Sequence, residues 1–284
     1  NFAPNKVDLP VNRWIVGAPA KAVANVQKAI EDYQFNEAAN AAYDFVWGIY
    51  CDWYVELAKP VLTGEDEAGK AETQATAAWV LDQILKLLHP FMPFVTEELW
   101  GETGKTGPAR DKLLVLSEWP MLTGLGDAAA EAEMNWLIEV VSGIRSVRTE
   151  MNVPASAKIP LLIIGAGEET GTRVESQLQA LTRMARLSEV TYGSDVPQGS
   201  AQIVIGETTF VLPLTGIIDL DAERVRLKRE IAKEEVEIGK IDKKLGNEQF
   251  VAKAPPEVIE EQRERRAEAV ARLERLKAAL ARLS

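Results

Sequence analysis

The residues able to do chemistry in this 284-residue sequence are few. There is one histidine, His89, and one cysteine, Cys51. A His/Cys metal site needs several such ligands, and a Ser-His or Cys-His nucleophile needs a base held beside it. The sequence offers neither set, so both residues read as packed core side chains. What remains is cationic and aromatic. Phe35 stands in the polar turn Gln34-Phe35-Asn36-Glu37. A ring there suits stacking on an unpaired nucleobase, worth roughly 1–3 kcal/mol, or closing a helix junction as a hydrophobic staple. Arg13 lies just before the first bundle helix. Its planar fork suits a phosphate or a base edge, or a surface salt bridge. Arg145 and Arg148 are three apart, which places them on one helical face. That face fits phosphates, or an ion-paired surface with Glu150. Lys228, Arg229, Lys240, Lys243, Lys244 and Lys253 form one late row, answered by Arg263, Arg265, Arg266 and Arg272. Such rows are phosphate contacts or, more often, a solvated charged face.

Three regions would position these groups. Residues 1–125 read as a helical bundle. Val23, Val26 and Ile30 make an apolar stripe over Pro19–Tyr33, with Pro19 in the first turn, or as a kink if the helix starts near Arg13. Phe35–Leu57 reads as a second helix, aromatic on most sides and so central, which Pro60 ends. Trp14, Trp47, Trp53, Trp79 and Trp100 read as core rather than as platforms. Ala71–Leu88 and Pro93–Trp100 are further helices, GETGKTGPARDK is a surface loop, and LLVLSEWP is extended. Residues 126–218 read as a small α/β domain. It holds an Ala128–Met151 helix with Trp136, Val140, Ile144 and Val147 on one stripe, a Lys158–Gly165 strand and an Arg173–Arg186 helix. Glu189–Tyr192, Ala201–Ile205 and Thr208–Pro213 are short strands, the last two joined by a Gly-Glu turn. Residues 219–284 read as an antiparallel coiled-coil hairpin. Its seams are Leu227, Ile231, Ile238, Ile241 and Leu245, then Ile259, Gln262, Arg266, Ala269, Leu273, Leu276, Leu280 and Leu283, with Glu234 as a polar exception. The fold class expected is therefore mainly α.

Charge bounds the partners. The formal net charge is -11, which by itself disfavours a polyanion. Residues 219–284 carry 16 basic and 15 acidic groups, whereas the other residues carry 16 basic and 28 acidic. A grip on nucleic acid must therefore come from local patches, not from the overall field. No apolar run is long enough to span a bilayer, so no membrane partner is expected. A lone cysteine fits a reducing, cytoplasmic setting. The start, NFAPNKVDLP, carries no initiator Met or signal pattern and reads as a cut inside a longer chain.

Several strings are similar to one family. WVLDQILKLLHPFMPFVTEELW, at 79–100, resembles the anticodon-binding helices of the synthetases for valine, isoleucine and leucine. FVWGIYCDWYVELAKP, at 45–60, resembles the valine enzyme more narrowly, as do NRWI at 12–15, YQFNEAA at 33–39 and IRSVRTEMNVP at 144–154. KLGNEQFVAKAPPEVIEEQRER, at 244–265, looks like the loop of the coiled-coil arm of bacterial-type valyl-tRNA synthetases, which are class I enzymes. Val16-Gly17-Ala18-Pro19 departs from the family pattern, in which a regular helix continues.

The resemblance implies binding of valine tRNA, and the short heptad runs separated by Pro255-Pro256 suit intramolecular folding, so a monomer is expected. Arg13, Phe35, Arg145 and Arg148 would serve the anticodon region. Lys228, Arg229, Lys240, Lys243, Lys244, Lys253, Arg263 and Arg266 would serve the elbow of the tRNA. DNA is not an expected partner. The family's His-Ile-Gly-His and Lys-Met-Ser-Lys-Ser signatures do not occur. No cofactor is expected in this chain, ATP and magnesium belonging to the missing catalytic domain. The rival reading is a structural module that dimerises, or docks protein partners, through the coiled coil.

Overall fold

The computed structural model describes residues 2–247 and 255–282. Lys253 and Leu283 lie outside the described residues. The chain forms two compact units, Asn1–Ile138 and Glu139–Ser284.

The first unit is helical. Helix α1 runs Pro10–Glu31 with Pro10 in its first turn. The stripe expected from Pro19 therefore starts earlier, because Val11, Trp14, Ile15 and Val16 extend the buried face of Val23 and Val26. The earlier start is fixed by Glu72. Its carboxylate accepts the Asp8 N–H at 2.8 Å and the Leu9 N–H at 3.0 Å, and Asn12 Nδ2 donates to it at 2.8 Å. These bonds satisfy groups that a helix start leaves unpaired. Asn12 is wholly buried, and it also donates to Thr73 Oγ1 and accepts from the Tyr54 hydroxyl. The helix continues through Pro19, which is buried within it.

The expected second helix divides into α2 (Phe35–Tyr43), a π-helical stretch (Asp44–Tyr54) and α3 (Val55–Leu62). Pro60 sits inside α3 and does not end it. Termination comes at Thr63, whose hydroxyl and N–H both donate to the Lys59 carbonyl. Nor is this helix central on all sides. Phe45 and Tyr54 are buried, but Tyr43 and Trp47 are 61% and 55% exposed. Helix α4 (Glu67–Leu88) starts before the expected Ala71, because the Asp66 carboxylate caps it by accepting the Ala68 N–H. Helix α5 spans Pro93–Gly104. The segment expected to be extended instead forms a 3-10 turn at Leu114–Leu116, held by the Glu97 carboxylate, which accepts the N–H groups of Leu114 and Val115.

Helix α6 (Ala128–Glu150) crosses from one unit to the other in sequence. Asp127 caps it through the N–H groups of Ala129 and Ala130. Its expected stripe is buried at Trp136, Val140, Ile144 and Val147. The second unit holds a four-stranded sheet in the order β2-β1-β4-β3. Strand β1 (Ile159–Ile164) runs parallel to β2 (Leu187–Gly193), joined to it through α7 (Glu168–Ala185). Strand β4 (Thr208–Pro213) is antiparallel to both β1 and β3 (Ser200–Ile205). The expected two-residue turn joins β3 to β4, with Gly206 at φ +59 as such a turn requires. Gly143 lets α6 approach this sheet; a Cβ there would stand 3.1 Å from Ile203.

Helices α8 (Leu220–Leu245) and α9 (Pro256–Arg282) pack as the expected antiparallel pair. Leu227, Ile241, Ala269 and Ala279 are their buried apolar residues. Arg266, a seam residue by spacing, is exposed instead and bonds Asp242 across the pair at 2.5 Å.

Candidate nucleic-acid interface

Helices α1 and α2, the π stretch and the start of α6 enclose a groove of about 760 Å³. Its lining includes Lys21 and Lys28 but also Asp32, Glu37, Asp44, Asp127 and Glu131, together with the amides of Asn25, Asn40 and Asn135. The lysines are not available as bare cations. Lys28 bonds Asp32 at 2.5 Å, which raises its pKa from the ordinary value, and Lys21 bonds Glu131. A groove richer in carboxylates and amides than in cations repels phosphate. It presents groups that bond the amino and ring nitrogens of bases.

Phe35 stands at the rim, between the lining residues Gln34 and Glu37. It is 59% exposed, so it is not a buried staple. Its ring meets Tyr33 edge-on at 6.4 Å, and Tyr33 is 82% exposed. Tyr33 also holds φ at +58, the left-handed region that costs a non-glycine residue about 1 kcal/mol or more. That strain carries the chain from α1 into α2 and presents both rings outward. Sequence reasoning missed Tyr33. The signal was the one used for Phe35, an aromatic residue in a polar helix junction.

The cations expected to serve the anticodon region are differently arranged. Arg13 donates from Nη1 to Asp127 at 3.1 Å, tying α1 to the cap of α6. Asp127 is thereby lowered in pKa, chiefly by the Ala130 N–H and less by Arg13. Arg145 and Arg148 do not share an exposed face. Arg145 is exposed, and its Nε donates to the Met184 carbonyl. Arg148 is buried, and its Nη2 donates to the carbonyls of Pro154 and Ala157. It holds the turn after α6, and burial, then the nearby Arg186, lowers its pKa. Trp47 was expected in the core, yet it lies exposed and stacked on Tyr43 with ring centroids 6.4 Å apart.

On the arm, the cations divide into two groups. Lys240 pairs with Glu237, Arg263 with Glu260, Arg265 with Glu237, Arg272 with Glu234 and Lys277 with Glu235. Among the described residues, Lys228, Arg229, Lys243 and Lys244 are exposed and have no acidic group within 4 Å. The root of the arm is anchored separately. Arg226 grips the buried Glu223 with two nitrogens and donates to the Glu150 carbonyl at 3.1 Å, while Arg282 bonds the Glu150 carboxylate. Among the described residues, no cluster of three or more metal-ligating side chains occurs.

Comparison with known proteins bears on what these surfaces do. Residues 12–163 match the family described as the anticodon-binding domain of tRNA ligase, and residues 219–284 match the valyl tRNA synthetase tRNA binding arm. A valine–tRNA ligase of Caulobacter vibrioides is 54% identical over 284 residues, which is 100% of this chain and 31% of that protein. One from Rhizobium meliloti is 53% identical over 285 residues, and one from Agrobacterium fabrum is 50% identical over 284, each covering 100% of this chain and 30% of the relative. The chain thus spans about a third of the length of the relatives it matches. It belongs to the family of tRNA-ligase anticodon-binding domains, here followed by the tRNA-binding arm of the valyl-tRNA synthetases.

Proposed function

We propose that this chain is the tRNA-gripping part of a valine–tRNA ligase, with the helical bundle on the anticodon region and the coiled-coil arm on the outer corner of the tRNA. The order of the two family matches along one chain supports this reading, and the exposed Phe35–Tyr33 pair beside a base-suited groove carries it. Phe35 stacks on an unpaired base at the rim. Arg13 and Arg145 take part in binding only by giving up their present partners. Arg148 holds a turn and has no such part. On the arm, Lys228, Arg229, Lys243 and Lys244 meet phosphates directly. Lys240, Arg263 and Arg266 do so while keeping an acidic neighbour, and Lys253 belongs to the same row by sequence.

The parent reaction joins valine to its tRNA at the expense of ATP with magnesium, in the cytoplasm. In it this chain binds and positions. Its partner is valine tRNA rather than DNA, and it acts as a monomer. Arg265, Arg266, Arg272 and Lys277 pair with acids on the other helix of the same hairpin, which favours intramolecular folding over dimerisation. The test is binding of the 284-residue chain to valine tRNA and to the same tRNA with a swapped anticodon. Tighter binding of the first is expected. Equal binding of both, or a stable dimer that shifts with neither, overturns the reading.

A further inference from the structure

Helix α5 is turned the wrong way for a helix on the surface of a finished protein. Its one buried residue is Thr96, whose hydroxyl bonds His89 Nδ1 and the Met92 carbonyl. Its apolar residues face water, with Phe94 at 91% exposure and Val95 and Leu99 near half. A surface helix ordinarily buries its apolar stripe. The neighbouring 3-10 turn adds Leu113, Val115 and Leu116, each about 60% exposed, and Glu97 fastens that turn to α5 through two backbone bonds. The face is also rigid. Arg110 forks onto Asp82 at 2.7 and 2.8 Å, lies 3.7 Å from the centre of the Trp100 ring and donates to the Trp100 carbonyl, while Trp100 Nε1 donates to the Lys112 carbonyl. These bonds fix the loop on which the apolar turn is carried. A contiguous apolar face on a rigid scaffold marks an interaction surface.

We infer that the α5 face, with Phe94 and Leu116 as its leading residues, packs against a part of the parent protein that lies outside this chain. Three observations choose that occupant. The relatives are about three times as long as the chain, so most of each parent lies beyond the matched stretch. The exposed carboxylates of Glu98 and Glu118 beside the face outnumber the exposed ammonium of Lys112, which disfavours phosphate. A net charge of -11 on each copy opposes a second copy of the chain. The occupant is an apolar surface with basic residues at its margin, placed to meet those two carboxylates. The inference goes beyond tRNA binding but rests on the chain being part of a longer ligase.

Four of the five methionines supply the test, which uses the full-length parent protein. Met92 caps α5 and is 45% exposed, and Met121 follows the 3-10 turn and is 81% exposed; Met134 and Met151 are fully buried. Peroxide oxidation is followed residue by residue in peptides. In the parent, Met92 should oxidise nearly as slowly as Met134 and Met151, and Phe94→Glu should restore fast oxidation of Met92 without changing that of Met134. Rapid oxidation of Met92 and Met121 in the unaltered parent overturns the inference. So does protection that appears only when valine tRNA is added, or only at concentrations where light scattering shows a dimer. Affinity for valine tRNA is measured on the same samples. Fast Met92 oxidation with intact tRNA binding sinks this inference alone, and protected Met92 without tRNA binding sinks the tRNA reading alone.

Discussion

Phe35 and Tyr33 are exposed aromatic rings at a helix junction, whereas Phe45 and Tyr54 on the stretch that follows are buried. Exposure removes the hydrophobic reason for a phenylalanine at that position, and the positive φ at Tyr33 adds a local cost. Both make sense if a flat ligand covers the rings. Phe35→Ala should therefore weaken binding of valine tRNA by roughly 1–3 kcal/mol, the range for one stacked base, with an unchanged thermal melt by circular dichroism. A collapsed melt with unchanged affinity would return Phe35 to a purely structural part. A second residue-scale expectation concerns Glu72. Partial burial works to raise its pKa, but the amide of Asn12 and the N–H groups of Asp8 and Leu9 prevail and lower it. A depressed carboxyl pKa stabilises the fold above the ordinary glutamate range, and that contribution is lost as pH falls through the folded-state value. Glu72→Gln should cost about 1 kcal/mol at neutral pH, since bonds to a charged acceptor become bonds to a neutral one. The melting temperature of the variant should also fall less than that of the parent sequence between pH 7 and pH 4. Parallel acid sensitivity in the two proteins would show that Glu72 is not the group responsible.

At the level of elements, the arm separates into cations already neutralised and cations left over, and only the second kind adds affinity cheaply. Lys228, Arg229, Lys243 and Lys244 face outward with few aromatics near them, which suits backbone contact and not base reading. Removing the arm after Gly216 should weaken binding to valine tRNA and to an anticodon-swapped tRNA by similar factors. It should also flatten the salt dependence by roughly 0.7–0.9 in log–log slope for each phosphate that the arm no longer neutralises. A salt titration of both forms with both tRNAs decides it: an unchanged slope would make the arm's charge a solvated face. The arm, the Gly206-Glu207 hairpin and the α6 stripe were legible in the sequence because each follows from periodicity and a turn residue acting locally. The start of α1, the π stretch and the 3-10 turn at Leu114–Leu116 were not. The first and last depend on a group distant in sequence, Glu72 for α1 and Glu97 for the turn, and the Asp44–Tyr54 stretch has no local breaker to announce it. The candidate site was legible in part for the same reason. Phe35 is marked by its polar surroundings, but nothing local to Arg148 foretells that the carbonyls of Pro154 and Ala157 will claim it.

The molecule as a whole divides its optical probes along with its structure. All seven tryptophans, from Trp14 to Trp136, fall in the unit Asn1–Ile138. The unit Glu139–Ser284 contributes helix and sheet but no tryptophan. Tryptophan fluorescence therefore follows the melting of the first unit alone, while far-ultraviolet circular dichroism follows both. A ligand that binds only the folded form stabilises what it touches, by about 2.7 kcal/mol at a hundred times its Kd. If valine tRNA meets the bundle through its anticodon and the arm through its outer corner, a saturating amount should raise both transitions. An isolated anticodon stem-loop should raise the fluorescence transition and leave the remaining dichroism transition where it was. Intact tRNA with Lys228, Arg229, Lys243 and Lys244 all changed to Ala should behave like the stem-loop, because the cations proposed to reach the corner are then gone while the groove and Phe35 are untouched. A stem-loop that raises both transitions equally would mean that the two units melt as one, and fluorescence would lose its selectivity. Intact tRNA that raises only the fluorescence transition would remove the arm from the binding surface and leave its charges to pair with one another.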